Sequence, residues 1–410
     1  MSQTAAMDRL IARAHPASPP VSARSITRGS VAVVNAALLS VMAAGALSVL
    51  GVIAISTTEP GLAMRQAVFL AAGLVAAAVV ALPHYGVFRS ICYLALAGVV
   101  ALLVFVLLPF VPDEIVRPRN GARRWINLGV TDFQPSELAK IAFVLALANY
   151  LRFRENHRRL FGLFVPFALT MIPMGLILIE PDLGTALLFL PTLFAMLIAA
   201  GARKRHIALI IVLGLSCAPA MYPFLQPHQK DRIKAMIAQA TGDTRHRDDI
   251  GFQADRAMTL VAAGQWSGVG RDTARDLIRY NALPEEHNDM IFAVITLRWG
   301  LIGAVFTVGL YLVYITGGLV TAALCREPFG RLIAVGCVSI IFAQMSINIG
   351  MTIGLLPITG MTLPFVSYGG SSLLALWLST GLLYNIAMRR PRMLEREPFD
   401  FDDDPREVGA

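Results

Sequence analysis

DMIFAVITLRWGLIGAVFTVGLYLVYITGGLVTAAL, residues 289–324, carries two charged side chains, Asp289 and Arg298, in a run that is otherwise apolar or uncharged. Roughly 20 apolar residues suffice to cross the hydrocarbon of a bilayer. Hydrocarbon leaves a chain only two ways to satisfy its own backbone, the helix and the closed barrel, and this run is continuous rather than alternating. It therefore reads as helix. Similar runs recur near 31–56, 66–83, 89–111, 136–151, 162–180, 184–201, 206–223, 332–357 and 371–388, which with 289–324 makes ten. Composition agrees: 56% of residues are hydrophobic and 15% charged, and the mean hydropathy is +0.63. A soluble domain carries about a quarter charged residues. The predicted fold class is an all-α polytopic membrane protein of about ten transmembrane helices, with a large loop at 224–288 between helices 7 and 8.

The ends differ from the middle. Residues 1–30 are polar and include HPASPP, and residues 391–410 include FDDDP; both are expected to be disordered tails flanking a domain at 31–390. The first apolar run is too long for the core of a cleavable signal, so it is expected to stay as the first span. Cys92, Cys217, Cys325 and Cys337 lie in or beside different apolar runs without metal-ligand spacing, as small hydrophobes in packed helices do.

Lys and Arg in short loops orient such a chain, because they are retained in the cytoplasm. Arg24 and Arg28 precede the first run, Arg158 and Arg159 follow the fourth, and Arg203, Lys204 and Arg205 follow the sixth. Arg326 and Arg331 follow the eighth, and Arg389 and Arg390 the tenth. With ten spans all of these fall on one side, so both termini are expected in the cytoplasm. The net charge of +8 is then a topology signal and does not argue for nucleic acid.

Two loops on the other side break the rule. The long one, 224–288, is exempt, since long loops translocate largely regardless of charge. The short one, RPRNGARRWINLG, carries Arg117, Arg119, Arg123 and Arg124. Either these pair with lipid headgroups, or they form an anion site, because guanidinium binds phosphate bidentately. The same outer side holds QPSELAK (134–140), EPDLGT (180–185), LPEEHND (283–289) and LPFVSYGGSS (363–372), each where a loop meets a span. Ionisable groups at membrane depth are costly and point to function by default. Glu137 and Lys140, at i,i+3, can pair on one helix face. Asp182 can cap the following helix. Asp289 has no Lys or Arg within a turn on its own face, and Arg298 would lie on the opposite face, so a structural pair does not explain this acid. His287 has no second His or Cys nearby to build a metal site. GQWSGVGRD lacks the Lys-Ser/Thr of a P-loop and reads as a turn. DRIKAMIAQA and FQADRAMTLVAAG have helical spacing. PFVSYGGSS, with Ser367 and Ser371, reads as a capping or re-entrant segment buried in protein or lining a cavity.

Taken in order, NGARRWINLG, FQPSELAK, EPDLGTA, LPEEHNDMIFAVI, NIGMTIGLLPITGMTLPFVSYGGSS and GLLYNI resemble the signature blocks of the SEDS family (shape, elongation, division and sporulation), which comprises RodA, FtsW and SpoVE. GARRW, HND and MTLPF are closer to the FtsW branch, and PITG to RodA. The resemblance implies a peptidoglycan glycosyltransferase of the bacterial cytoplasmic membrane. Such a protein polymerises lipid II, a disaccharide-pentapeptide on undecaprenyl pyrophosphate, at the outer face, and works with a class B penicillin-binding protein. It implies Asp289 as the catalytic acid. It marks Arg124, Glu137, Lys140 and Asp182 as family positions, and Arg123, His287, Ser367 and Ser371 join them as candidate substrate contacts. The family commonly has two acids where this chain has Leu297 and Arg298.

The chemistry fits these residues. A carboxylate near the bilayer surface can take the proton of the attacking sugar hydroxyl. Cationic groups can stabilise the pyrophosphate that leaves, with a divalent cation such as Mg or Mn as a candidate aid. Two other functions stay open: a transporter that flips lipid II, which also needs helix breaks such as Pro357 and Pro364, and a non-catalytic scaffold that activates a transpeptidase.

Overall fold

A computed structural model describes residues 23–119, 122–129, 131–153, 159–221, 230, 234 and 252–389. DRIKAMIAQA apart from Lys234, the C-terminal tail 391–410 and the first 22 residues lie outside them. Each of the ten predicted runs carries helix: α1 (Ala23–Ile55), α2 (Pro60–Ala81), α3 (Gly86–Leu107), α4 (Pro135–Leu151), α5 (Phe164–Ile179), α6 (Leu183–Leu187) with α7 (Phe189–Ala199), α8 (Lys204–Met221), α11 (Ile291–Leu324), α12 (Pro328–Thr352) and α13 (Gly370–Met388). Between α8 and α11 lie α9 (Phe252–Ala263) and α10 (Arg271–Asn281). The first helix starts at Ala23, inside the stretch expected to be a tail. The prolines stop at Pro20, and nothing after them prevents helix.

Among the described residues seven helices are long and apolar enough to cross a membrane. The other runs depart for visible reasons. Helix α4 has 17 residues and carries Glu137 and Lys140 in its first turns. Run 184–201 is divided at Leu188, just ahead of Pro191, which cannot donate to the preceding turn. Helix α8 opens on Lys204, Arg205 and His206.

The helices pack in pairs, α1 on α11 and α2 on α13, with α4 and α12 in the interior. Small residues let backbones approach: a Cβ on Gly381 would lie 2.5 Å from the Ala77 carbonyl oxygen, and one on Gly317 would meet the Ala36 carbonyl oxygen. Trp377, Tyr311, Tyr314 and Phe143 fill the core, while Leu94, Val75, Phe164 and Ile302 remain exposed, as lipid-facing side chains would.

Helix α11 is not one helix. Gly300 has φ 67° and ψ −160°, which breaks the ladder. The freed groups are taken by the GQWSGVGRD turn: Val269 N–H donates to Leu297 O at 3.0 Å and Gly270 N–H to Arg298 O at 3.3 Å. In return, Leu301 and Ile302 N–H donate to Gln265 O at 2.8 Å and Trp266 O at 3.2 Å. Broken backbone at membrane depth is tolerated where protein satisfies it in this way. Side chains at Gly264 and Gly268 would collide with the Thr296 and Arg298 carbonyls, which is why that turn is glycine-rich. The predicted run 289–324 is therefore a buried half-helix, 291–298, followed by a full span.

Arg298 has a role of its own. Its Nη1 donates to Ile53 O at 3.0 Å and to Thr57 Oγ1 at 2.8 Å. Arg271 donates to Ser56 O and Arg275 to Thr57 O. Three guanidiniums thus close the C-terminus of α1, where carbonyls are orphaned and the helix dipole is negative. That is the local account of the cation at position 298.

The loop between α3 and α4 folds as three antiparallel strands, β1 (Val116–Arg119), β2 (Ala122–Asn127) and β3 (Asp132–Phe133), in the order β1-β2-β3. Arg117 pairs with Trp125 and Pro118 with Arg123, so Arg124 is the extra residue of a bulge. A bulge bends its strand and re-aims a side chain. This one decides where Arg124 points.

Candidate active site

Asp289 lies in the turn that precedes α11, and Met290 caps the helix. Its carboxylate is half-buried at the N-terminal, positive end of the buried half-helix. The backbone beneath it is fixed at three successive carbonyls. Tyr368 N–H donates to His287 O at 2.9 Å, Ser367 Oγ to Asn288 O at 2.6 Å, and Asn348 Nδ2 to Asp289 O at 2.8 Å. Ser367 Oγ also accepts from Leu363 N–H at 2.7 Å, and its carbonyl accepts from Gln66 Nε2 at 2.9 Å. The segment 353–369 is thereby laced to α2, to α12 and to the Asp289 turn. Gly360, at φ 75°, passes so close that a Cβ there would lie 3.5 Å from Asp289 Oδ2. Gly360 therefore lines one side of the Asp289 carboxylate.

The second half of the site is the EPD turn. Arg124, aimed by its bulge, donates from Nε to Glu180 O at 2.7 Å and from Nη2 to Pro181 O at 2.6 Å. Asp182 caps α6 by accepting from Thr185 N–H at 3.2 Å, and its other oxygen accepts from Gln134 Nε2 at 3.1 Å. The predicted cap is present, on a helix of five residues. Gln134 is itself the residue before α4. Glu137 and Lys140, the predicted pair, sit in the first turns of that helix, both buried, 2.9 Å apart. The two halves meet at segment 359–361: a Cβ on Gly184 would touch Thr359 O at 3.1 Å and Met361, while the opposite side of the segment faces Asp289.

Not every candidate converges. Arg123 diverges from Arg124, as successive strand residues do. It donates to the carbonyls of Leu108, Pro109 and Val111 and pairs with the exposed Asp113 at 3.6 Å. It closes the end of α3. His287 stacks edge-on against Tyr368, with centroids 6.0 Å apart. Ser371 lies half-buried in the first turn of α13.

Three groups were missed in the sequence. Gln344 and Asn348, one turn apart on α12, both aim their amides at residues 361 and 362. The signal was available, since a Gln and an Asn inside an apolar run are costly unless paired. Glu180 is the third. It is 1% exposed, and neither carboxylate oxygen has a hydrogen-bond partner. Burial, with Asp182 close by, pushes its pKa up to about 8, against the opposing pull of Arg124. The folded chain thus keeps a proton on Glu180 between about pH 4.5 and 8 that the unfolded chain releases. Stability contributed at Glu180 therefore falls as pH rises through that window. Glu180→Gln should melt several degrees above the wild type at pH 8, with the gap closing towards pH 4.5. Equal melting temperatures at pH 8 would show that the acid is not held neutral.

Comparison with known proteins places the chain in a family. Residues 30–392 match the FtsW/RodA/SpoVE family, described as "Cell cycle protein". The chain is 32% identical to the probable peptidoglycan glycosyltransferase FtsW of Pseudomonas fluorescens, over 83% of this chain and 82% of that one. It is 33% identical to stage V sporulation protein E of Bacillus subtilis, over 79% and 86%. Among solved structures it is similar to a chain from a study of how a peptidoglycan synthase complex coordinates polymerization and crosslinking, with a TM-score of 0.73, 30% identity and coverage of 85% and 96%. It is also similar to the rod shape determining protein RodA of Thermus thermophilus, with a TM-score of 0.64, 27% identity and coverage of 86% and 97%. By sequence over most of its length and by fold, the chain belongs to the FtsW/RodA/SpoVE family of cell cycle proteins.

Proposed function

We propose that this chain is a peptidoglycan glycosyltransferase that polymerises lipid II at the outer face of the bacterial cytoplasmic membrane, alongside a class B penicillin-binding protein. The observation that carries the proposal is Asp289: a carboxylate at the head of a buried half-helix, with three backbone carbonyls tied beneath it and a bare glycine beside it.

In the reaction the acceptor hydroxyl of one lipid II attacks the anomeric carbon of a lipid-linked donor. The new glycosidic bond forms as the bond to undecaprenyl pyrophosphate breaks. Asp289 takes the hydroxyl proton as it attacks. The leaving pyrophosphate keeps the bonding electrons, and cationic donors lower the cost of its charge. Among the described residues Arg124 Nη1 has no acceptor, and Lys140 lies in the second turn of the helix that Gln134 precedes. Arg123, committed to the end of α3, contributes to the same loop by holding it in place. Ser367, whose Oγ is committed to the Asn288 carbonyl and the Leu363 N–H, holds the Asp289 turn in place. An apolar groove of about 170 Å³ between α2, α3, α4 and α13, lined by Phe88, Val99, Ile141, Leu145 and Leu382, has room for a short stretch of an isoprenoid tail. Holding both reactants by their tails turns encounter into orientation.

Among the described residues no three His, Cys, Asp or Glu side chains group to hold a metal. A Mg or Mn ion accompanying the pyrophosphate would take its ligands from phosphate and water, as Mg commonly does.

The test is the purified full chain with lipid II. Glycan chains support the polymerase. Movement of lipid II across the bilayer without glycan would support a flippase. Polymer that appears only through a partner's own active site would support a scaffold.

The orientation is tested separately. Lys204 and Tyr280 are both exposed. Single cysteines there, in a background without native cysteines, should label oppositely on intact cells: Tyr280→Cys reacts with an impermeant reagent and Lys204→Cys does not. The reverse pattern would turn the site to the cytoplasm and sink the proposal.

A further inference from the structure

Asn348 is fully buried in α12, and its hydrogen bonding is lopsided. Nδ2 donates both ways, to Asp289 O at 2.8 Å and to Met361 O at 2.6 Å. Oδ1, equally buried, has no hydrogen-bond partner. An amide nitrogen has two protons, and here each is spent on one carbonyl. A buried amide kept only for packing would be cheaper as a leucine of similar size, because an unmet acceptor costs free energy. Asn348 therefore earns its place through its two donors.

Those donors join two points of the site. One carbonyl belongs to Asp289. The other belongs to Met361, next to Gly360, whose bare Cα faces the Asp289 carboxylate. A single nitrogen thus fixes the separation of the acid from the segment beside it. The neighbouring carbonyls of His287 and Asn288 are held by Tyr368 and Ser367, so the third tie completes the clamp. Gln344, one turn earlier on α12, makes the corresponding bonds to Thr362 O at 3.0 Å and Thr362 Oγ1 at 3.1 Å and has no bond to the Asp289 turn.

We propose that Asn348 is a positioning residue for glycosyl transfer: its amide ties the Asp289 and Met361 carbonyls together and so fixes the Asp289 carboxylate beside Gly360. The proposal rests on Asp289 being the base. A displacement of the order of 1 Å at a reacting group can cost about 100-fold in rate.

The experiment compares full-length variants in glycan chain formation from lipid II, with kcat and KM measured separately and thermal unfolding followed on the same samples. Asn348→Leu should lose about 10- to 100-fold in kcat, with KM within about two-fold. Gln344→Leu removes equivalent bonds one turn away and should match its loss of stability while keeping most of kcat. In an Asp289→Asn background, Asn348→Leu should cost no further rate. Equal kcat losses in Gln344→Leu and Asn348→Leu would overturn the proposal, because the amide would then act only through folding. So would a wild-type kcat in Asn348→Leu while Asp289→Asn is inactive. Wild-type turnover in Asp289→Asn would instead remove the base, and with it the premise. Should the leucine variant not fold, Asn348→Asp keeps the size. Its carboxyl can donate one proton at low pH and none once ionised, so its rate relative to wild type should fall as pH rises. A flat ratio across pH would overturn the proposal.

Discussion

Asp289→Asn should lower glycan chain formation by about 10²–10⁴-fold, the usual worth of general base catalysis, and should leave thermal unfolding close to the wild type. The separation of the two effects follows from the geometry. What ties this turn to the fold is the backbone, through the carbonyls of residues 287, 288 and 289. The side chain is half-buried at a helix N-terminus, where a charge is worth about 0.3–1 kcal/mol, too little to decide folding. Asparagine keeps the shape and removes the proton acceptor. Polymerisation at the wild-type rate would mean that Asp289 is not the base. Inactivity with an equal loss of stability would make the acid structural and pass the role to Glu137 or Asp182. Those two are already engaged, one with Lys140 and the other as a helix cap.

Lys140→Ala should be the most destabilising single change at the site, costing about 3–5 kcal/mol, because it leaves the Glu137 charge buried and alone. Both side chains are within 5% exposure. The double variant Glu137→Gln/Lys140→Met removes the pair together and should recover most of that stability, since the desolvation cost disappears with the charges. Its activity then separates two roles. If Lys140 meets the leaving pyrophosphate, the stable double variant remains inactive. Recovery of activity along with stability would reduce the pair to a structural bridge. Failure of the double variant to regain stability would show that the pair is held by more than its mutual charge.

Much of this was legible in the sequence, because burial in lipid imposes simple rules. Every apolar run became helix, since no other continuous element satisfies its backbone there. The Glu137–Lys140 pair and the Asp182 cap followed from spacing alone. Other features were hidden for physical reasons. Hydropathy sums over a window and so cannot see one glycine at φ 67° dividing α11. Arg123 and Arg124 are identical in composition, and only strand alternation and a bulge send them to opposite places. Glu180 looked like part of a turn motif; its burial depends on how α5 meets the sheet loop. Asn348 lay in plain view in INIGM, but its partners are 59 and 13 residues away and cannot be inferred from periodicity.

The break at Gly300 has a consequence for biogenesis. Its hydrogen-bond partners, residues 265–270, come earlier in the chain, so they have already been synthesised when 297–302 emerges. Synthesis runs from the N-terminus, and closing a loop of a few dozen residues costs little more entropy than closing a short one. The interrupted segment can therefore be completed locally as it appears, without waiting for α12 and α13. A chain nicked between 270 and 289 would lose that advantage. Its C-terminal fragment would enter the membrane with four unpaired groups at 297, 298, 301 and 302, and the cheapest remedy in lipid is to straighten into one uninterrupted helix, drawing Asp289 away from Gly360.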